Sequence, residues 1–175
     1  MQITNNNYPW PYNWGQKTSI MGIINLTPDS FSDGGDFCSI EKVLNQVDNF
    51  ISNGVDVIDL GAQSTRPGAI EIGAKKELER LLPYLKKIRS KYPNIIISID
   101  TFNSEVAYEA LTNGANWIND VTGGRRDEEI LDVVAEFNCP FVITHSRGNS
   151  HNMNLSLIHI SEPTRPRLIS YAVFC

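Results

Sequence analysis

The chain has 175 residues, 41% of them hydrophobic, with a formal net charge of −5, which is enough for one buried core and suggests a single domain. Lys and Arg form no cluster beyond the pair Arg125–Arg126, which excludes a nucleic-acid-binding surface. No apolar run approaches the roughly 18 residues that would suggest a membrane span, and the opening MQITNNNYPWPYNWGQ lacks the basic and apolar regions of a secretory leader. Cys38, Cys139 and Cys175 are far apart and match no metal or redox spacing, which points to a reducing, cytoplasmic setting.

Residues 1–18 are rich in Asn, Pro and aromatics and read either as a cap on the bottom of the fold or as a frayed terminus. From Ser19 onward one pattern recurs, in which a short apolar run ends in a polar cluster and a helical segment follows. The runs predict strands over 20–24, 55–61, 95–100, 115–119 and 140–145. Between them, Ser39 is placed to N-cap a helix that buries Val43, Leu44, Val47, Phe50 and Ile51, and Asn53-Gly54 stops it. A second helix over 72–91 presents Leu78, Leu81, Leu82, Leu85 and Ile88. A third presents Val106, Ala107, Ala110 and Leu111 and closes at Asn113-Gly114. Asp127, Glu128 and Glu129 suit the first turn of a fourth helix, whose buried face is expected to be Ile130, Leu131, Val134 and Phe137.

Strands alternating with helices imply an α/β fold with a parallel sheet and right-handed crossovers. Every polar cluster sits at the C-terminal end of a strand, the ligand-binding end of a (β/α) barrel and equally of a doubly wound open sheet. No G-x-G-x-x-G follows the first strand, which weakens a dinucleotide reading. The expected architecture is an incomplete (β/α)8 TIM barrel. With about 250 residues needed for a whole barrel, five βα units are accounted for. Residues 155–175, LSLIHISEPTRPRLISYAVFC, break the rhythm, and LSLIHISEPTR resembles a translated sequencing-library adapter. The expected layout is therefore an N-terminal extension over 1–18, a partial barrel over 19–154 and a non-native tail over 155–175.

The polar clusters carry the chemistry, and each has a plainer alternative. Asn25-Leu26-Thr27-Pro28-Asp29-Ser30-Phe31-Ser32-Asp33-Gly34-Gly35 is a loop whose backbone N–H groups can hold an anion and whose Asn25 offers a neutral oxygen to a hard cation. It is also what an ordinary βα turn looks like. Ser64-Thr65-Arg66-Pro67-Gly68 pairs an arginine with two hydroxyls, which suits a phosphate, or is a solvated surface charge. Asp100, at the tip of IIISID, can hold the N–H groups of a heterocycle or cap the turn that follows. Asn119-Asp120 is either a hydrogen-bonding floor or an Asx-turn pair, and His145 either a ligand contact or a core histidine with its nitrogens satisfied.

Taken together, MGIINLTPDSFSDGG, DLGAQSTRPGA and SIDTFNSEVAYEALTNGANWINDVTGG resemble the dihydropteroate synthase family in order and spacing, over residues 20–148. Two positions depart from it: Gln63, where the family more often has an acid, and Thr-His-Ser-Arg over 144–147, where Met-His-Met is common. The family's later Asp-Pro-Gly, Ser-Arg-Lys and Arg-x-His motifs have no counterpart. The resemblance implies condensation of 6-hydroxymethyl-7,8-dihydropterin diphosphate with 4-aminobenzoate, giving dihydropteroate and diphosphate, in a homodimeric parent of which this chain is an inactive fragment. It implies Mg²⁺ placed by Asn25 and diphosphate held by Ser64, Thr65 and Arg66. It also implies pterin held by Asp100 and Asn119, and an aminobenzoate pocket formed with Phe31 and Pro67. A methyltetrahydrofolate-dependent methyltransferase domain would share Asp100 and Asn119 but needs no diphosphate loop. A non-catalytic pterin-binding homologue gives no reason for Asn25 and Arg66.

Overall fold

The computed structural model describes residues 10–11, 14–27, 39–64 and 71–144. Five strands alternate with four helices: β1 (Met21–Asn25), α1 (Ile40–Ser52), β2 (Val57–Gly61), α2 (Gly73–Lys91), β3 (Ile96–Asp100), α3 (Ser104–Thr112), β4 (Trp117–Asp120), α4 (Glu129–Phe137) and β5 (Phe141–Ile143). All pairings are parallel, and the spatial order is the sequence order, β1-β2-β3-β4-β5. A doubly wound sheet reverses its strand order at a switch point and covers both faces with helices. Neither happens among the described residues, whose strands run in sequence order like a segment of a barrel wall.

The strand alternation divides two environments. Ile24, Ile58, Leu60, Ile97, Ile99 and Ile118 point outward into one core with Val43 and Val47 of α1, Leu81, Leu85 and Ile88 of α2, Val106 and Ala110 of α3, and Ile130 of α4. The inner face begins with Val57, Ile96 and Trp117, flanked by Met21 and Val142. Trp10 and Trp14, in the segment before β1, pack against Trp117 in tilted and edge-to-face contacts, with ring centroids 5.3 and 5.6 Å away, at the N-terminal end of the barrel wall.

Local chemistry sets the element ends. Ser39 Oγ accepts the Lys42 N–H at 3.2 Å and caps α1, while Gly54 at φ +82° lets the chain leave it. Asn103 Oδ1 accepts the N–H of Glu105 and Val106 and starts α3. β2 begins two residues later than the apolar run suggests. Asp56 is occupied below it, accepting the Ile20 N–H at 2.9 Å and pairing with Lys17 at 3.1 Å. β4 likewise starts at Trp117 rather than 115, since Asn116 Oδ1 turns back to the Ile97 N–H at 3.0 Å.

Two expectations about burial need correction. Leu131 is 46% exposed rather than buried, because it lies a helical step away from Ile130 and covers the Gly124 turn instead of the core. In α2 the most buried positions are Glu77, Leu81, Tyr84, Leu85 and Ile88, while Leu78 and Leu82 pack at the edge of the core. Residues 145–175, including His145 and the expected tail, lie outside the described residues.

Candidate active site

The inner face changes character along the strands. Its first layer is apolar. The next contains Ile23, Asp59 and Ser98, which are in register across β1, β2 and β3. The last contains Asn25, Gly61, Asp100 and Asn119, in register across β1 to β4. Three residues singled out from sequence are thus brought into one row at the C-terminal end of the sheet. Gly61 leaves a notch in that row, since a Cβ there would stand 3.3 Å from Asp100 Oδ2 and 3.6 Å from Asn25 Oδ1.

The alternatives left open by the sequence separate at this point. The turn after β3 is built without Asp100: Thr101 Oγ1 accepts the Asn103 N–H at 3.2 Å, and Asn103 caps α3. The Asp100 carboxyl has no hydrogen bond among the described residues. In the pair Asn119-Asp120 the roles divide. Asp120 forms the turn, accepting the N–H of Thr122 at 2.7 Å and of Gly124 at 2.6 Å. Asn119 faces inward, and its Nδ2 donates to Asp59 Oδ2 at 3.2 Å.

The electrostatics of this end are acidic. Burial, reinforced by the charges of Asp59, Glu77 and Asp120, pushes Asp100 up to about 7. Asp59 is only 2% exposed. Burial raises its pKa as well, opposed by the neighbouring Ser98 hydroxyl and the Asn119 amide. Glu77 of α2 is 3% exposed and raised by burial in the same way, with the Thr101 hydroxyl opposing. Sequence reasoning missed both Asp59 and Glu77. For Asp59 a signal existed, because a carboxylate inside the otherwise apolar run 57–61 has no solvent to face.

Of the remaining site residues, Ser64 lies at the start of the β2–α2 loop, while Phe31, Thr65, Arg66 and Pro67 lie outside the described residues. Gln63 holds the two feet of that loop together. Its Nε2 donates to the Ser64 carbonyl at 3.0 Å, and its Oε1 accepts the Ile72 N–H at 3.0 Å. A carboxylate could do only the second. Among the described residues no group of three or more His, Cys, Asp or Glu could hold a metal ion. A single neutral oxygen, Asn25 Oδ1, beside the Gly61 notch does fit a Mg²⁺ ion that takes most of its ligands from water and phosphate.

The chain has relatives among known proteins. The pterin binding enzyme family matches residues 21–164. The chain belongs to that family. It is 51% identical over 144 residues to a folate synthesis bifunctional protein of Arabidopsis thaliana, a match covering 81% of this chain and 30% of that protein. Its fold is similar to dihydropteroate synthase from Clostridium difficile, solved in the presence of pteroic acid, with a TM-score of 0.72 and 41% identity over 77% of this chain and 51% of that one. The Xanthomonas albilineans dihydropteroate synthase with 4-aminobenzoic acid gives a TM-score of 0.67 and 38% identity, covering 74% of this chain and 47% of that one. The chain thus spans about half the length of these two synthases and less of the bifunctional relative. Five strands of a family barrel are present, and no helix among the described residues is long and apolar enough to cross a membrane.

Proposed function

We propose that the chain is the N-terminal half-barrel of a dihydropteroate synthase, acting in folate biosynthesis on 6-hydroxymethyl-7,8-dihydropterin diphosphate and 4-aminobenzoate. The observation that carries the reading is the in-register row of Asn25, Gly61, Asp100 and Asn119 on one inner face. Similarity to synthases solved with pteroic acid and with 4-aminobenzoic acid supports the choice of substrates.

In this reading Asp100 and Asn119 bind the pterin by the donor and acceptor groups of its ring edge, at the floor of the site. Asn25, at the mouth of β1, would hold a Mg²⁺ ion, which would supply positive charge to neutralise the diphosphate leaving group. Ser64, Thr65 and Arg66 add hydrogen bonds to the same oxygens, and Phe31 and Pro67 shape the aminobenzoate pocket; these roles come from the family resemblance. The bond that breaks joins the pterin methylene to a diphosphate oxygen, and the bond that forms joins the same carbon to the aminobenzoate nitrogen, which loses a proton. The protein holds both partners in line, so a two-body encounter becomes a local one. No side-chain nucleophile is needed. A cytoplasmic-type reducing environment suits Cys139, a buried free thiol that burial pushes up to about 12.

The test separates the two ends of the row in the complete enzyme. Asn25→Ala is expected to weaken Mg²⁺-dependent diphosphate binding about tenfold or more while leaving pteroic acid binding nearly intact, and Asp100→Ala to do the reverse. Calorimetric titration of each variant with both ligands measures this. Equal loss of both ligands in both variants would refute the assigned roles.

A further inference from the structure

We infer that Asp59, one layer below the site row, is a positioning residue that fixes which end of the Asn119 amide faces the ligand. The inference rests on the proposed reading of the row as a pterin site. Asn119 Nδ2 donates to Asp59 Oδ2 at 3.2 Å across the intervening strand β3. Asp59 Oδ2 is the acceptor in this contact, so the end of the amide turned toward it is the NH₂ group. The carbonyl oxygen is then the end left for a ligand, and it has no hydrogen bond among the described residues.

Asn119 is the register partner of Asp100, whose carboxyl is also free of hydrogen bonds among the described residues. The row therefore presents two acceptors side by side. That pattern suits a ring edge with adjacent N–H donors, such as the aminopyrimidine edge of a pterin. An inverted amide would set its NH₂ against those donors.

Packing alone gives no reason for a carboxylate at this position. One layer below, the inward positions of β2 and β3 are Val57 and Ile96. Asp59 is buried, and its Oδ1 has no hydrogen-bond partner. A buried carboxylate with one oxygen idle costs more than an aliphatic side chain of similar size. The geometric hydrogen bond that the Asp59 side chain makes is to the amide above it.

The experiment is a double-mutant cycle in the complete enzyme. KM and kcat for the pterin diphosphate, and KM for 4-aminobenzoate, are measured for Asp59→Leu, Asn119→Ala and the double variant. Asp59→Leu fills the space and removes the acceptor. It is expected to raise the pterin KM roughly three- to tenfold, the size of one hydrogen bond, and to leave the aminobenzoate KM unchanged. The double variant is expected to be no worse than Asn119→Ala alone, because Asp59 acts through that amide. Asp59→Asn still offers an oxygen to the amide, so it is expected to recover most of the pterin affinity, and Asp59→Ala replaces the leucine variant if leucine does not fold. Additive effects, failure of Asp59→Asn to recover affinity, or an equal rise in both KM values would overturn the role of Asp59. An unchanged pterin KM in Asn119→Ala would instead overturn the reading of the site itself.

Discussion

Asp100 titrates near 7 because burial and three neighbouring acids, Asp59, Glu77 and Asp120, all disfavour its charge. Its folded pKa lies above the ordinary value of 3.8, so the folded state binds a proton that the unfolded state has already released. The stability this contributes is fully present below about pH 4 and is lost as pH rises through about 7. The shifts at Asp59 and Glu77 have the same sign. Asp56 and Asp127 have the opposite sign: at Asp56 the Ile20 N–H and Lys17 outweigh desolvation, and at Asp127 desolvation is outweighed by hydrogen bonds from Ser104 and Glu129, so the stability they contribute is present above the ordinary value of 3.8 and is lost as pH falls below it. Thermal melts of the complete protein are therefore expected to fall between about pH 4 and 7, and Asp100→Asn is expected to flatten that decline. A melt that rises over this interval would contradict the assignment. Ring N–H donors favour the ionised form, so pterin binding at pH 6 is expected to release a proton, visible as a buffer-dependent binding heat. At this scale the sequence was legible in placement, since Asn25 and Asp100 end their strands, Asn119 stands one residue before the end of β4, and all three fall in one row. It was not legible at Glu77, which sits in the charged run KKELER and reads as solvent-facing although it is buried. Helical periodicity cannot say which charge of such a run faces inward.

Elements were easier to read than their joints. Ser39, Asn53-Gly54 and Asn113-Gly114 mark helix ends in the sequence and mark them in the structure, because capping is local chemistry. Arg89 is different, since its partners come from two separate connections, the one between α2 and β3 and the one between α3 and β4. On α2, its Nε donates to the Gly114 carbonyl at 2.9 Å and its Nη1 to the Pro93 and Ile95 carbonyls at 2.8 Å. Its Nη2 donates to Asn116 Oδ1 at 2.6 Å. One guanidinium thus ties the end of α2 to the entries of β3 and β4, and the same Asn116 oxygen accepts the Ile97 N–H. No sequence pattern announces such a clamp, as the acceptors are mostly backbone carbonyls. A lysine has one nitrogen and cannot span them. Arg89→Lys is expected to cost about 2 kcal/mol, read as a lower urea midpoint at unchanged m-value. A midpoint within error of wild type would show that the clamp is redundant.

On the scale of the molecule, sequential strand order was legible from the βα rhythm, but what lies beyond β1 and β5 was not. Among the described residues β1 pairs only with β2, and β5 only with β4. In a closed barrel both edges would be covered. On the β1 edge Ile20 and Ile23 are 55% and 53% exposed, and they border an apolar pocket with Phe50 and Val55. On the β5 edge Ile143 is 51% exposed. Unpaired parallel edges flanked by apolar side chains invite association with other chains. The 175-residue chain by itself is therefore expected to self-associate as its concentration rises and to form no dihydropteroate. A second ground for this expectation is chemical. The Asp-Pro-Gly, Ser-Arg-Lys and Arg-x-His motifs are absent, and with them a lysine and a stacking arginine that the family resemblance places on the pterin. The row of Asn25, Asp100 and Asn119 would then meet a ligand on one side only, without the preorganised opposite wall. Residues 1–154, the 175-residue chain and a complete enzyme carrying the same half-barrel can be compared by sedimentation and by dihydropteroate formation. Turnover by the 175-residue chain near the rate of the complete enzyme, or a monodisperse monomer across the concentration range, would show that the half-barrel closes its site without the missing strands.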